Sequence, residues 1–441
     1  MTYTKKSVLY YKAVFVTVIL LLTSCSVFAA ANDEKNLTAN SYYEYFGDIY
    51  YHNDDILGEQ DETLQVQPML SWTREIVDDD GDLGYGIDID TDSCGRCHIS
   101  YSYFSGSSSL KYVRQLDNGS WDIQVVEQLH GRVMTSLALD REDQPHIVYF
   151  DVIKRCLKYA HQKNTNWQIE IVDDWVGNID TICSPSIVVD RWGRPHIAYG
   201  DPSTQSMMYA TKRFAAIPMK MGEDTKLRGK SNQNSIVTSL FPNQWTLETI
   251  DSPLHANFYP LPSISIDPTS NHVCVAYAGH SQLRHAVRLG ANNWLIDIAN
   301  PEGGMNPALA VGANGLSAIS YANGNDIFDD FILMCARQDT SGEWIIKMLD
   351  RNFRSGVDSA ITIDSNSHPH VASICYDEDL VAYFYLTPNG WSGSRVSPLG
   401  DEYIWGPGMV SIALYDDQPH VAYRMRDGRG TPHRLMHACR V

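Results

Sequence analysis

Apolar and polar residues alternate in short runs along most of this chain, and the runs recur in a fixed order. Residues 136–149 read SLALDREDQPHIVY, residues 186–199 read SIVVDRWGRPHIAY, and residues 411–423 read SIALYDDQPHVAY. Alternation with a period of two residues predicts half-buried β-strands, so each stretch is a strand, a polar turn and a second strand that opens with Pro-His. Weaker copies lie at 87–101, 263–277, 308–321 and 360–373, which makes seven copies.

A third short strand follows each copy, and a fourth strand begins at a tryptophan. Six of these tryptophans come after a copy, at positions 121, 167, 245, 294, 344 and 391. A seventh, Trp72, precedes the first copy, whereas the last copy is followed by only one further strand before Val441. Because an open sheet edge invites aggregation, the pattern predicts an all-β fold, a seven-bladed β-propeller with four-stranded blades. The strand at Trp72 is then expected to join the C-terminal blade and close the ring.

One blade departs from the repeat. The third blade carries an insertion at about residues 214–243, where the alternation stops. From Lys212 to Lys230 the chain holds six Lys or Arg against two acids, a basic island on an acidic protein. We interpret it as a solvated loop, although insertions in repeat folds also often shape a binding face.

The N terminus predicts export. Three lysines precede an apolar run from Ala13 to Leu22 that is too short to span a bilayer, so residues 1–31 are typical of a signal peptide. Two processing sites compete. The tetrapeptide ending at Cys25 resembles a bacterial lipobox that would place a lipid on this cysteine, and Val-Phe-Ala, ending at Ala29, is an ordinary cleavage site. We expect a bacterial protein that is secreted, periplasmic or an outer-membrane lipoprotein, with no transmembrane span.

Composition and charge narrow the range of partners. The chain has 441 residues, 44% of them hydrophobic, and a formal net charge of −19. A general nucleic-acid-binding protein needs a broad basic surface, so that class is excluded, and any anionic ligand must meet a local basic patch. Residues 32–71 are polar and carry no repeat. We expect an N-terminal extension there and a monomeric propeller over residues 72–441.

One cysteine motif has a spacing that can carry chemistry. The stretch Cys94-Gly95-Arg96-Cys97-His98 matches a c-type haem attachment site. His98, however, falls on the Pro-His position of the repeat, so the blade pattern already accounts for it. The sequence favours two alternatives over haem: a disulfide across the turn, or half of a structural zinc site with Cys94 and Cys97 as ligands.

Two residue types recur at fixed positions of the repeat. A histidine opens the second strand in five blades, at positions 98, 146, 196, 370 and 420, and a tyrosine ends that strand in six, at 101, 149, 199, 277, 321 and 423. A polar group repeated in this way is most simply a buried residue with a hydrogen-bond partner, and the repeated tyrosine is most simply a core residue. Residues that break the pattern are better functional candidates.

The loops between blades supply such residues. They include His130, Asp180, His255, Tyr259, Arg351, Arg354, Tyr403 and Trp405. In a propeller these loops emerge on the same face as the loops between second and third strands, which hold His280, Asp326, Asp377 and the Arg424–Arg434 stretch. Because aromatic rings stack on sugars and Arg clamps carboxylate or sulfate, this face is predicted to bind a saccharide. The residues predicted to bind substrate are His255, Tyr259, Arg354 and Trp405.

With seven blades, an export signal and Pro-His-x-x-Tyr repeats, the chain resembles the propeller ulvan lyases of marine bacteria from Trp72 to Val441. That resemblance implies β-elimination on an anionic polysaccharide that contains sulfate and uronate, with no cofactor required for catalysis. It also implies that His and Tyr act as base and acid, while an Arg or a His neutralises the carboxylate.

The order of catalytic residues that the resemblance implies, His, His, Tyr and Arg, is met here by His130, His146, Tyr199 and Arg213. Removing the proton at C5 of a uronate needs a base whose pKa lies near the working pH, for which His is suited. Arg213 or His130 would neutralise the carboxylate, and Tyr199 would protonate the leaving glycosidic oxygen.

Three other functions compete with a lyase. A propeller lectin should repeat its pocket residues in every blade, but the blade-joining loops differ widely in length and content, which favours a single site. A sialidase-like hydrolase should show a series of Asp-box turns, and the sequence shows no such series. A non-catalytic surface protein that binds a partner is the third alternative, because one fold can host many functions.

Overall fold

The computed structural model describes residues 71–105, 107–131, 133–163, 165–174, 176, 184–212, 244–252, 254, 261–323, 331–350, 355–375, 380–397, 409–426 and 432–440. The chain divides into two compact units, Met1–Asp61 and Glu62–Val441, and all described residues belong to the second. Their secondary structure consists of β-strands. None of the described residues form a helix of the length and apolarity that crossing a membrane requires.

The strands form seven sheets of four, which are the blades, and within each blade neighbouring strands pair in the order stated. Blade 1 contains β2 (Leu83–Thr91), β3 (Cys97–Ser105), β4 (Ser107–Gln115) and β5 (Trp121–Leu129). Blade 2 contains β6 (Thr135–Leu139), β7 (Pro145–Asp151), β8 (Cys156–Lys163) and β9 (Asn166–Asp173). Blade 3 contains β10 (Ser186–Val189), β11 (Pro195–Asp201), β12 (Ser206–Lys212) and β13 (Trp245–Asp251). Blade 4 contains β14 (Ser263–Ile266), β15 (Val273–Gly279), β16 (Gln282–Gly290) and β17 (Asn293–Asn300). Blade 5 contains β18 (Met305–Val311), β19 (Ser317–Asn323), β20 (Ile332–Gln338) and β21 (Trp344–Asp350). Blade 6 contains β22 (Ser355–Ile363), β23 (Pro369–Cys375), β24 (Leu380–Thr387) and β25 (Gly390–Arg395). Blade 7 contains β26 (Val410–Tyr415), β27 (Gln418–Met425), β28 (Arg434–Arg440) and β1 (Trp72–Asp78).

The predicted closure of the ring is confirmed. Strand β1 is the fourth strand of blade 7 and runs antiparallel to β28, with Trp72 opposite Arg440 and Asp78 opposite Leu435. The Trp72 side chain is 7% exposed, and its ring lies edge-on to Tyr383 of blade 6 at 5.3 Å between centroids. The closing strand is therefore held by a sheet ladder and by the neighbouring blade.

Apolar side chains fill the interfaces between neighbouring blades, which we call seams. Between blades 2 and 3, Val148 and Phe150 of β7 belong to one buried cluster with Ile197 and Tyr199 of β11. Successive residues of a strand point to opposite sides of the sheet, so each blade contributes one set of side chains to the seam before it and another to the seam after it. This double burial explains the long apolar stretches in the second strands.

The antiparallel strands place the loops of each blade at two ends. We call the end with the blade-to-blade connections and the second-to-third-strand loops the upper face; it includes residues 79–82 and 202–205. The opposite end, with the turns between first and second strands, is the lower face, and it includes residues 92–96 and 140–144.

The repeated histidines lie near the lower face and join groups within one blade. In blade 2, Nδ1 of His146 lies 2.5 Å from the Tyr159 hydroxyl, and Nε2 lies 3.4 Å from Oδ2 of Asp140. A phenol that donates to Nδ1 leaves the proton on Nε2 facing the carboxylate. The same series recurs as Tyr112, His98 and Asp92, as Tyr209, His196 and Asp190, and as Tyr383, His370 and Asp364. The predicted hydrogen-bonding role is confirmed for these four histidines.

These histidines are expected to make the stability of the protein depend on pH. Burial lowers the pKa of His98, His196 and His370 below the ordinary value of 6.5, although the neighbouring aspartates raise it. The unfolded chain therefore binds more protons than the folded chain in mild acid, and stability is lost as the pH falls below about 6.5. We expect the Tm to fall between about pH 6.5 and about pH 5, and less steeply in His196→Gln. Thermal unfolding at constant ionic strength measures this, and equal slopes for the two proteins would contradict it.

The repeated tyrosines lie nearer the upper face and join neighbouring blades. Tyr199 is fully buried, and its hydroxyl donates to Oδ2 of Asp173, in the preceding blade, at 2.7 Å. Tyr101, Tyr149 and Tyr277 donate in the same way to acids of their preceding blades, which are Asp78, Glu127 and Asp251. The prediction that the repeated tyrosines belong to the core is confirmed for these four.

Candidate functional site

A charged cluster lies on the upper face beside the ring closure. Asp82 lies in the connection from β1 to β2, Arg424 lies near the end of β27, and His433 directly precedes β28. Oδ1 of Asp82 lies 2.8 Å from Nη2 of Arg424 and 2.6 Å from Nδ1 of His433. Closure of the ring thus brings together groups that are 342 and 351 positions apart in the chain.

The charges of this cluster determine its protonation state. Burial by itself raises the pKa of Asp82, but the hydrogen bond from His433 and the charge of Arg424 outweigh burial, and the pKa falls to about 2. Nδ1 of His433 lies between the ionised Asp82 carboxylate, which can accept its proton, and Nη2 of Arg424 at 2.5 Å, which can only donate. Burial lowers the pKa of His433 below its ordinary value despite the hydrogen bond to Asp82. In the tautomer that donates from Nδ1 to Asp82, Nε2 of the neutral imidazole carries a lone pair.

The second ring nitrogen of His433, Nε2, has a different environment from Nδ1. It is buried and has no hydrogen-bond partner among the described residues. Since buried polar atoms nearly always have a partner, such a nitrogen marks a place where a ligand atom or a water would gain a hydrogen bond. Arg426 is partly exposed, and its charge also lowers the pKa of His433, so a second cation lies close to the imidazole.

The structure places two predicted catalytic residues, His146 and Tyr199, in the same seam but near opposite faces of the ring. Both face the seam between blades 2 and 3, where His146 lies near the lower face and Tyr199 near the upper face. The two positions differ by three residues along the second strand, which is about 10 Å. His146 is bonded to Tyr159 and Asp140, and the Tyr199 hydroxyl is bonded to Asp173. The described geometry does not bring them together around one reacting atom.

Burial and the nearby carboxylates also decide the protonation state of Tyr199. Burial raises the pKa of this phenol, and the charges of Asp173 and Asp201 raise it further. The hydroxyl thus keeps its proton and uses it in the bond between blades 2 and 3.

Of the remaining residues predicted for lipidation, catalysis and substrate binding, His130 lies in the described part of the chain and the others lie outside it. His130 is exposed and follows β5 on the upper face, the same face as His433. Residues outside the described part of the chain are Cys25, Arg213, His255, Tyr259, Arg354 and Trp405. Their predicted roles in lipidation, catalysis and substrate binding stay predictions.

The two predicted zinc ligands, Cys94 and Cys97, have different environments. Cys94 is exposed in the lower-face turn of blade 1, and both cysteines are free thiols. Cys97 is buried, and its Sγ lies 3.2 Å from Nδ1 of His420 and 3.5 Å from Nε2 of His437. The predicted disulfide across the turn is absent, and the potential ligands around Cys97 come from blade 7.

No protein-family model matches the chain, and the search of curated proteins found no match. Solved structures that resemble the fold include the polysaccharide lyase Uly1, at 10% identity over 88% of this chain and 93% of that chain, with a TM-score of 0.48. Another is the SapL1 lectin in complex with alpha methyl fucoside, at 10% identity over 71% and 97%, with a TM-score of 0.47. A third is a protein of unknown function from Dyadobacter fermentans DSM 18053, at 8% identity over 83% and 97%, also with a TM-score of 0.47. Likeness at this level carries no conclusion about function.

Sequence patterns do not single out Asp82 or His433. The one signal near them is the Arg424–Arg434 stretch, which holds four arginines against one acid and runs from the end of β27 to the start of β28. That stretch can be noticed as a break in the repeat. Its contact with Asp82 depends on ring closure, because the two segments lie near opposite ends of the chain.

Proposed function

We propose that the protein is an exported lyase that cleaves an anionic, uronate-containing polysaccharide by β-elimination at the upper face beside the ring closure. The observation that carries this proposal is the Asp82–His433–Arg424 cluster, in which a neutral imidazole is oriented through Nδ1 and keeps Nε2 unpaired among the described residues. A base oriented by a carboxylate is a common arrangement for proton abstraction. The N-terminal signal and the resemblance of the repeats to propeller ulvan lyases agree with this function.

The chemistry of elimination can be assigned to these groups. Nε2 of His433 accepts the proton from C5 of the uronate, the C5 electrons form the C4–C5 double bond, and the C4–O bond breaks. The imidazolium formed at Nε2 is stabilised by the Asp82 carboxylate and can return the proton to the leaving glycosidic oxygen. Arg426, which is partly exposed, can pair with the substrate carboxylate and so acidify the C5 proton.

The local charge suits an anionic substrate. The whole chain carries a net charge of −19, which would repel a sulfated polymer. Around His433, however, the segment from Arg424 to Arg434 has four arginines and one acid. An anionic chain would therefore be attracted to this part of the upper face more than to the acidic parts of the surface.

The activity itself can be tested with the mature protein. Incubation with ulvan is expected to produce unsaturated uronate, which is followed as a rise in ultraviolet absorbance with time. A polymer without uronate, such as a neutral dextran, is the control and should give no rise. If no signal appears with ulvan or with other uronate-containing polymers across pH and salt, the lyase function is wrong.

A further inference from the structure

A second cluster of reactive side chains lies in the seam between blades 7 and 1, away from the upper face. Sγ of Cys97, in β3, is 3.2 Å from Nδ1 of His420, in β27, and 3.5 Å from Nε2 of His437, in β28. The two histidine nitrogens are 3.0 Å apart. Cys97 and His437 are buried and His420 is partly buried, so the three groups face one another with little access to water.

The ligand positions depart from the repeat, and the departures meet at this one seam. Cys97 stands at the position before the repeated histidine, where four other blades have proline, at 145, 195, 369 and 419. His437 stands two register positions beyond His420, where four other blades have the tyrosine that donates to the histidine, at 112, 159, 209 and 383. Two independent exchanges thus replace a proline and a phenol by a thiol and an imidazole that face each other.

The seam between blades 4 and 5 has a histidine at the position of His437 but a serine at the position of Cys97. There, His285 occupies the position of His437, and Ser317 occupies the position of Cys97. Nε2 of His285 lies 3.1 Å from the Ser317 hydroxyl, and Nδ1 lies 2.8 Å from the Asp297 carboxylate. A hydrogen bond is enough to satisfy the imidazole in that seam. A buried thiol, Cys274, stands at the position of His420 in that seam, so neither a second imidazole nor a thiol from the following blade is needed to accommodate a histidine at this position.

The distances in the cluster fit a tetrahedral metal ion. With metal–sulfur bonds of about 2.3 Å and metal–nitrogen bonds of about 2.0–2.1 Å, the ligand atoms of a tetrahedral site lie roughly 3.3–3.6 Å apart. The three observed separations run from 3.0 to 3.5 Å. Small shifts of the side chains would therefore open the space that an ion needs.

A carboxylate orients one of the ligands from outside the cluster. Nδ1 of His437 lies 2.9 Å from Oε1 of Glu75, which is directly opposite His437 in the closing strand β1. Metal-binding histidines commonly donate their other nitrogen to a carboxylate in this way, which fixes the tautomer and turns the free lone pair toward the ion. This contact points Nε2 of His437 at Cys97 and His420.

We propose that Cys97, His420 and His437 bind a zinc ion that joins blade 7 to blade 1 at the closure of the ring. One thiolate and two imidazoles are a ligand set that Zn²⁺ prefers, with a fourth position left to water or to Cys439. Cys439 pairs with His420 in the register and lies two residues beyond His437, so it belongs to the same side of blade 7. Because Glu75 lies on β1, the site would also tie the closing strand to the ion.

The site differs from the zinc site that the Cys94-x-x-Cys97 spacing suggests, and this difference makes the test specific. The mature protein is stripped with a chelator, reloaded with zinc and passed through a desalting column, and bound metal is measured by mass spectrometry. We expect about one zinc ion per chain for the wild type and for Cys94→Ser. Cys97→Ser introduces the residue that the blade 4–5 seam has at this position, Ser317, and we expect its zinc affinity to fall at least about tenfold.

Cobalt provides a spectroscopic readout in addition to the zinc measurement. Reloading the wild-type protein with Co²⁺ should give the visible bands of a tetrahedral ion and a sulfur-to-metal charge-transfer band. In Cys97→Ser the charge-transfer band should be at least halved if Cys439 is the fourth ligand and missing if water is. Chelation should lower the Tm of the wild type by about 5 °C or more and leave that of Cys97→Ser unchanged. Less than stoichiometric zinc together with no charge-transfer band in the wild type would overturn the proposal. Loss of zinc from Cys94→Ser with retention in Cys97→Ser would overturn it as well.

Discussion

His433→Gln is expected to lower the rate of unsaturated-uronate formation by about 10³-fold, because a positioned base typically contributes 10²–10⁴-fold to such a step. Glutamine keeps a polar side chain of similar length, but its amide cannot take up a proton at neutral pH. The Asp82 and Arg424 ion pair remains in place at 2.8 Å, so the local structure should be retained. The measurement is the initial rate on ulvan at saturating substrate.

A histidine on the lower face provides the control for this variant. His272 lies in the turn between the first and second strands of blade 4 and is partly exposed. His272→Gln should leave the rate within about twofold, since a surface substitution away from the site usually changes little. Equal activity in the two variants would contradict the assignment of His433 as the base.

The pH profile separates catalysis by His433 from a structural role of the cluster. The base acts when it is neutral, so the rate should fall as the pH drops through the pKa of His433, which lies below 6.5. Asp82 raises that pKa, so Asp82→Asn should lower it and move the acid limb of the profile to lower pH, while reducing the rate. A variant that only destabilises the fold would lose activity without shifting the acid limb of the pH–rate profile.

Trp72→Ala is expected to lower the free energy of unfolding by about 3–5 kcal/mol, the range for removing a buried aromatic side chain. Trp72 is 7% exposed, packs edge-on to Tyr383 and donates from Nε1 to the Ser394 hydroxyl at 3.3 Å. The substitution leaves a cavity between blades 6 and 7 and weakens the strand that closes the ring. Denaturant unfolding, followed by tryptophan fluorescence and circular dichroism, measures the loss.

Trp192 offers a matched comparison in the same protein. It lies in the lower-face turn of blade 3, is 56% exposed and stacks with Arg191 and Arg194. Trp192→Ala should cost no more than about 1 kcal/mol, because little apolar surface is returned to water. Similar losses for the two tryptophans would mean that ring closure does not depend on the packing of β1.

The environment of His98 can be predicted from the repeat alone. Its position in the Pro-His series predicts a buried, hydrogen-bonded residue, and its Nδ1 does accept from the Tyr112 hydroxyl at 2.6 Å. His420 belongs to the same series and also has hydrogen-bonding partners, but the repeat does not predict which ones. In blade 7 the tyrosine partner is replaced by His437, and Cys97 comes from another blade, so the environment of His420 is set by exchanges elsewhere in the chain.

The number of blades, the phase of every strand and the closure by Trp72 follow from the amino-acid pattern alone, because strand periodicity is local and is repeated seven times. Which reactive groups meet depends instead on the folded ring. Asp82 and His433 lie 351 positions apart, and Cys97 and His437 lie 340 apart. Both pairs form because the ring brings its first and last blades into contact. Side-chain contacts across that seam depend on how two sheets pack. The periodic pattern of either strand therefore does not predict which side chains meet.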